Sequence, residues 1–564
     1  MGYKEIYRLW VENPYFDDET REELAGIEGN EREIEDRFYK DLEFGTAGLR
    51  GIVEAGTNRM NKYTVRRATY GLAKYILNNT EDGKERGVVI AHDNRNMSVE
   101  FCRETAETLA ASGIKSYIFN SLRTTPELSF ATRELNCIAG VVITASHNPR
   151  EYNGYKVYGE DGAQFMPEIA SLITDEVNAI TDYSSIPVIT DEKRNLINVL
   201  GEEQDKKFID AVKKQIIRQD VIDRVGKDFK IVYTPLCGTG NVPVRRALKE
   251  VGFENIEVVP EEENPDVNFA GIEYPNPEDG KALVRAVNLA REKGSDLVIA
   301  TDPDCDRVGT AVRTTTGEYE LLTGNQIGGL LADYIISSRK ELNTLTENPV
   351  MIKSIVTSEF GADIAKSNGV DVINVLTGFK FIGEKIRRFE KENTHNYVFG
   401  YEESYGYLVG THARDKDAVV STLLIAEMAA YYRTKGKSLY EALQDLYKKY
   451  GYYREKTISM TFKGKEGSEK IKKIMESFRN GSFDEIAENK VSEVMDFSKG
   501  VEGFPKSDVL KYIFDGGNWL AIRPSGTEPK LKFYIAVSAD TEEKAGEGIE
   551  KLECFINEYV EAIK

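Results

Sequence analysis

The chain has 564 residues, of which 41% are hydrophobic and 30% charged, and its formal net charge at pH 7 is −20. At roughly 100 to 200 residues per domain it is expected to hold about three to five domains, and no apolar run reaches the ~18 residues of a membrane span. The negative balance argues against nonspecific nucleic-acid or anionic-membrane partners, so a phosphorylated ligand must meet positive charge locally.

Residues 1–40, rich in Glu and Arg at helical spacing, predict a helical extension; "MGYKEIYRLWVENPYF" has no long apolar signal segment, and Ile6 breaks a myristoylation pattern. Five cysteines without a C-x-x-C pair (Cys102, Cys137, Cys237, Cys305, Cys554) point to reduced thiols, and the expected address is the cytoplasm. "DLEFGTAGLRGIVEAG" then sets Gly45, Gly48 and Gly51 around Arg50. Glycines let backbone N–H groups approach an anion and Arg50 adds a forked donor, although a simple glycine turn explains this stretch equally well.

Three stretches next follow one plan of strand, helix closed by Gly, strand, helical stretch, and apolar strand running into an unusual loop. The first runs from "GVVIAHDN" through a helix ending at Gly113 to "AGVVITASHNP". The second runs from "KIVYTPLCG" through a helix ending at Gly252 to "DLVIATDPDCDR", and the third from "VMIKSIVTS" through a helix ending at Gly369 to "NYVFGYEESYG". Apolar residues at helical spacing (Leu283, Ala286, Val287, Ala290) alternate with strands that are apolar throughout, as parallel strands covered on both faces are. Ligands sit at the carboxyl ends of such strands, so the three loops are expected to face one cleft. "VLKYIFDGGNWLAIRPSGTEPKLKFYIAVSA" and a following amphipathic helix read as a smaller α+β domain. The expected division is 1–205, 206–315, 316–445 and 446–564.

In "TDPDCDR", Asp302, Asp304 and Asp306 fall on alternate positions about 7 Å apart if extended, so a turn at Pro303 must draw them in before they share an ion. Hard oxygen ligands suit Mg²⁺, the soft Cys305 is expected to face away, and the bland alternative is a solvated acidic turn. "AIRPSGTEPKLK" concentrates donors that phosphate can use, in Arg523, Ser525, Gly526, Thr527 and Lys530; an ordinary turn between strands is the alternative. In "FGYEESYGY", Glu402 and Glu403 point to opposite faces of a strand and cannot readily flank one bond, which favours hydroxyl-accepting carboxylates over a glycosidase pair, with an ordinary charged turn as the alternative. In "TASHNP", side chains of neighbours in an extended loop diverge, and no G-x-S-x-G surrounds Ser146, so Ser146 and His147 are not expected to act as an acyl-transfer dyad. Lys156 downstream is able to move protons.

The ordered set FGTAGLRG, TASHNPREYNGYK, TDPDCDR, TGFK, GYEES and RPSGTEP resembles the α-D-phosphohexomutase family of phosphoglucomutases and phosphomannomutases, with G-Y-E-E-S closest to the longer bacterial phosphoglucomutases and their phosphopentomutase-like cousins. The resemblance implies an α/β fold of three similar domains with mainly parallel sheets, plus a smaller C-terminal α+β domain, around a central cleft. It implies that Ser146 carries a phosphoryl group, and that Asp302, Asp304 and Asp306 hold Mg²⁺ with an oxygen of Ser146. Arg50 and Arg307 would add positive charge, His147 would support the serine loop, and Lys156, then Lys380, are the candidates for general acid/base. Thr377 and Gly378 would line the sugar loop, Glu402 and Ser404 would read hydroxyls 3 and 4, and Arg523, Ser525, Gly526, Thr527 and Lys530 would hold the distal phosphate. The implied activity interconverts glucose 1-phosphate and glucose 6-phosphate, with glucose 1,6-bisphosphate as activator and as an intermediate that turns end for end. A phosphomannomutase or phosphopentomutase is the alternative, and Tyr401, where many relatives have Gly, bears on that choice. Small sugar phosphates are the expected partners, with no nucleic acid or membrane.

Overall fold

The computed structural model describes residues 2–45, 48–462, 464–525 and 530–563. Each of the first three domains is built on a central parallel strand, flanked by its second and third strands, and in each the third strand turns back into an antiparallel one. In the first domain Val88–His92 lies between Ser116–Phe119 and Ala139–Ile143, and Ala139–Ile143 turns into antiparallel Tyr152–Gly159. In the second, Ile231–Thr234 lies between Ile256–Val258 and Leu297–Thr301, which turns into Val308–Arg313. In the third, Pro349–Ser354 lies between Asp371–Val375 and Asn396–Glu402, which turns into Gly406–Leu408. The three loops picked out by chemistry are therefore equivalent hairpin tips at the carboxyl ends of third strands. The returning antiparallel strand was not part of the sequence expectation.

The expected glycine closures hold: Gly113 (φ 81°), Gly252 (φ 119°) and Gly369 (φ 74°) take the left-handed conformation just after their helices. The helix carrying Ala286, Val287 and Ala290 begins at Val284, because Asn276 and Asp279 side chains cap turns in front of it. In the third domain helix Phe379–Glu392 puts Lys380 in its first turn.

The fourth domain is an antiparallel sheet in the order Tyr452–Thr461, Lys530–Ala539, Trp519–Pro524, Leu510–Phe514, Asn489–Asp496 and Glu485–Ile486. Side chains alternate across its strands. Leu510, Tyr512, Leu520, Ile522, Phe533 and Ile535 meet Ile474, Phe478, Leu552 and Ile556 of two helices. Trp519, Ala521, Tyr534 and Ala536 face the other way, onto Ile355, Val356 and Leu376 of the third domain. The extension forms helices Tyr3–Glu12, Asp18–Ala25 and Glu31–Phe38, pinned to the first domain by Trp10, Phe16, Phe38 and Tyr63. Among the described residues, no helix is long and apolar enough to cross a membrane.

Candidate active site

Ser146 follows strand Ala139–Ile143, is 3% exposed and sits at φ 54°, a left-handed conformation uncommon outside glycine. Its N–H donates to Thr144 Oγ1 (2.8 Å) and its hydroxyl donates to Asp302 Oδ2 (2.9 Å). The expectation that His147 diverges from Ser146 is corrected: the left-handed turn brings His147 Nδ1 to 3.1 Å from Ser146 Oγ. Burial, then Arg307 and Arg50, hold the imidazole well below its usual range, so it is neutral. Ser146 Oγ and the Nδ1 of the neutral ring share a hydrogen bond whose direction is set by the ring tautomer. Proximity was misjudged, while the supporting role is compatible with this hydrogen-bond pattern.

Asp302 and Asp304 are fully buried and Asp306 is 2% exposed. One oxygen of each lies within 4.8 Å of the others, so the turn draws the three together. Cys305 takes φ 56° at its apex and turns its side chain into the core, as expected. Asp302 Oδ1 accepts the N–H groups of Asp306 and Arg307 (3.0 Å each). Burial, with Asp304 and Asp306 alongside, pushes Asp302 far above the carboxylate range. Burial works in the same direction on Asp306, but Lys416, Lys156 and Arg307 outweigh it and keep Asp306 below that range. Asp304 Oδ1 and Asp306 Oδ1 are buried and accept no hydrogen bond from a described residue. Crowded oxygen donors with orphaned lone pairs fit a hard divalent cation, which relieves the repulsion among them.

Two lysines from other domains reach this loop. Lys156, on strand Tyr152–Gly159, lies 2.7 Å from Asp304 Oδ2 and 3.6 Å from Asp306. Burial opposes its charge, but those two acids raise its pKa and keep it an ammonium. Lys416 of the third domain lies 3.1 Å from Asp306 and 2.9 Å from Asp415. Arg307 joins Glu278 (2.6 Å) and the Ser404 carbonyl (3.1 Å). Arg50 Nη1 donates to Asn148 Oδ1 (3.2 Å) in the serine loop.

In the third domain Glu402, 5% exposed, accepts the Gly378 N–H at 2.7 Å, which ties the TGFK turn to the GYEES turn. Glu403 goes the other way, accepting from Ser354 and Thr357 (3.1 Å each), as strand alternation requires. Thr377 Oγ1 is buried beside this turn and has no hydrogen bond to a described residue. Lys380 is 8% exposed; burial, with Arg523 nearby and Glu168 opposing, lowers it to about 8. The neighbouring Phe381 packs against the cluster of Trp519, Ala521 and Tyr534, which sets this turn against the fourth domain. Arg523 ends strand Trp519–Pro524, and Ser525 N–H donates to the Lys530 carbonyl (2.8 Å), closing the hairpin. Gly526 and Thr527 lie outside the described residues. Tyr534, which feels Glu403, Arg523 and Glu402, links this hairpin to the GYEES turn.

Family models cover the chain almost end to end. Residues 41–184, 206–317 and 323–450 match the three phosphoglucomutase/phosphomannomutase alpha/beta/alpha domains, I to III, and 465–548 match the C-terminal domain. A phosphoglucomutase of Staphylococcus aureus is 38% identical over 544 residues, covering 94% of this chain and 95% of its own. The chain belongs to the phosphoglucomutase/phosphomannomutase family. As a phosphohexomutase it is an enzyme of the isomerase class. A Staphylococcus epidermidis phosphoglucomutase is likewise 38% identical, over 88% of this chain and 91% of its own. In fold, the phosphohexomutase is similar to the open form of Paramecium parafusin (TM-score 0.69, 18% identity, 91% of this chain and 95% of that one).

Several residues of this phosphohexomutase site escaped the sequence reading. Arg95 and Asp93, a buried pair 3.3 Å apart, anchor the serine loop: Arg95 donates to the carbonyls of Ser146 and Asn148 (2.6 Å each), Pro149 (2.8 Å) and Tyr152 (2.9 Å). Lys416 and Asp415 stand in "ARDKDA", a charged cluster ahead of an apolar helix, which was the available signal. Thr125, whose hydroxyl donates to Asp304 Oδ2 (2.8 Å), carries no such signal. Tyr401 was read as a possible influence on the sugar; its ring is in the core, stacked on Phe399 (5.4 Å) and Tyr407 (6.1 Å). It therefore bears on the sugar only through the backbone of strand Asn396–Glu402.

Proposed function

We propose that the enzyme interconverts glucose 1-phosphate and glucose 6-phosphate through a phosphoserine at Ser146 and glucose 1,6-bisphosphate. The observation that carries this reading is the 2.9 Å contact of the Ser146 hydroxyl with Asp302, inside a buried cluster of three carboxylates flanked by Lys156 and Lys416. Asp302, Asp304 and Asp306, with a Ser146 oxygen, would hold Mg²⁺, which supplies positive charge against phosphoryl oxygens. Arg50, bonded to Asn148 in the serine loop, and Arg307, beside the acid loop, would add positive charge near the serine, and burial would exclude water that hydrolyses the phosphomonoester.

Lys156 is our candidate for moving the proton of the sugar hydroxyl that exchanges with Ser146. Lys380, ranked second for that role by sequence, fits better as a cation on the non-reacting phosphate, because it shares its surroundings with Arg523. Glu402 and Ser404 would hold hydroxyls 3 and 4. These look alike in both orientations of a bisphosphate, so one site serves both halves of the reaction. That symmetry leaves C2 weakly read, and a phosphomannomutase or phosphopentomutase activity is the second reading. Comparing kcat/KM on glucose, mannose and ribose 1-phosphates tests the assignment: glucose is expected to lead, and a lead by either other sugar overturns it. Five free cysteines, four of them buried, are compatible with a reducing compartment, and we place the enzyme in the cytoplasm.

Two further outcomes follow. Arg523→Ala is expected to raise KM and to make turnover depend on added glucose 1,6-bisphosphate, since the intermediate escapes before turning round; a charge-assisted pair contributes about 1.5–3 kcal/mol, or roughly tenfold to a hundredfold. Unchanged KM and bisphosphate dependence would remove this loop from phosphate binding. Lys380 loses its proton above about 8. Its phosphate contact is then charged below that pH and lost above it, so KM is expected to rise with pH through this point. Lys380→Arg is expected to flatten the profile, because the guanidinium keeps its charge.

A further inference from the structure

The two carboxylate oxygens of Asp304 are used differently. Oδ2 accepts the Thr125 hydroxyl (2.8 Å) and the Lys156 ammonium (2.7 Å), while Oδ1 accepts nothing from a described residue. The Asp304 carbonyl also accepts the Thr125 N–H (2.9 Å). Thr125 is fully buried and is the first residue of helix Thr125–Glu134, where a backbone N–H has no partner within the helix. Both donors of this first-domain residue thus go to one residue of the second domain. The preceding carbonyl, of Pro303, is held in the same way by Thr239, through its N–H (2.8 Å) and hydroxyl (2.9 Å).

We propose that Thr125 is a positioning residue that fixes the Asp304 carboxylate with Oδ1 turned to the cation, and so sets the affinity of the acid loop for divalent metal. The torsion that turns an aspartate carboxylate is broad, so orientation must come from donors. Lys156 is one such donor, but its ammonium, on a flexible stem, is also drawn to Asp306 at 3.6 Å. Thr125 is the other side-chain donor to Oδ2 among the described residues. Being neutral, it orients the carboxylate without adding charge that repels the cation. It also makes the metal loop of one domain depend on docking against the helix of the domain that carries Ser146. Outer partners of this kind typically change metal affinity by about 10–100-fold when removed.

This inference rests on the proposal that the acid loop holds Mg²⁺, and its test separates the two. Mg²⁺ affinity of the whole enzyme is measured by titration calorimetry without sugar, and by the Mg²⁺ dependence of turnover, for wild type, Thr125→Val, Thr125→Ser and Asp304→Asn. Thr125→Val is expected to bind Mg²⁺ about 10–100-fold more weakly, with most of the activity loss recovered at high Mg²⁺, and Thr125→Ser to restore affinity. Thr125→Ala compared with Thr125→Ser gives the same reading if the valine variant does not fold. Wild-type affinity in Thr125→Val and Thr125→Ala alongside lost binding in Asp304→Asn overturns the role of Thr125 alone. Wild-type affinity in Asp304→Asn overturns the metal assignment and this inference with it.

Discussion

Ser146→Ala is expected to lower turnover by about four to six orders of magnitude, the loss typical of removing a covalent nucleophile, while sugar phosphate still binds. Folding is expected to survive. The loop around residue 146 is held by Arg95, through four carbonyls, and by the N–H contact to Thr144, and none of these needs the serine hydroxyl. Binding is retained because Glu402, Ser404 and Arg523 stand on other domains. His147→Ala is expected to be milder, since a neutral imidazole hydrogen-bonded to Oγ orients the hydroxyl without carrying the phosphoryl group. Equal losses in the two variants would give His147 more than a supporting part. The readings are kcat, KM and the far-ultraviolet circular dichroism of each variant.

The second large effect is expected from Asp304→Asn. The substitution keeps shape but removes a carboxylate from a buried cluster and leaves Lys156 with Asp306, at 3.6 Å, as its nearest acid among the described residues. Breaking a buried hydrogen-bonded charge pair costs about 2–5 kcal/mol, which corresponds to roughly thirty-fold to several-thousand-fold in turnover. Repulsion with Asp302 is relieved at the same time, so the metal-free protein is not expected to lose stability in proportion. The expected signature is a lost Mg²⁺-induced rise in Tm together with the fall in kcat. Near-normal turnover at low Mg²⁺ would remove Asp304 from the metal site.

What could be read from the sequence follows from how locally the chemistry is written. The acid loop has its three carboxylates within five residues, and TASHNP, GYEES and RPSGTEP are each contiguous, so residue type and spacing single them out. The closing glycines are local too, since a left-handed residue after a helix needs no distant partner. Contacts across domains leave no such trace. Thr125, at the start of a helix, meets Asp304, and Lys416, just ahead of another, meets Asp306, only because separate domains bring these segments to one point. Arg95 is one Arg among many until its four carbonyl acceptors are seen. The misjudged distance between Ser146 and His147 has a single cause: an extended backbone was assumed where Ser146 is left-handed. Lys380 was singled out as the second acid/base candidate, but the neighbours that shift its pKa, Arg523 and Glu168, lie far away along the chain.

The claim on which the account depends is that Ser146 stores the phosphoryl group, and it is tested most directly by incubating wild type and Ser146→Ala with phosphate-labelled glucose 1,6-bisphosphate, followed by peptide mass analysis. The account predicts one stable phosphoryl group on the peptide containing Ser146 in wild type, discharged by glucose 1-phosphate, and none on the variant. Equal labelling of both proteins, or a label at another residue, would contradict it.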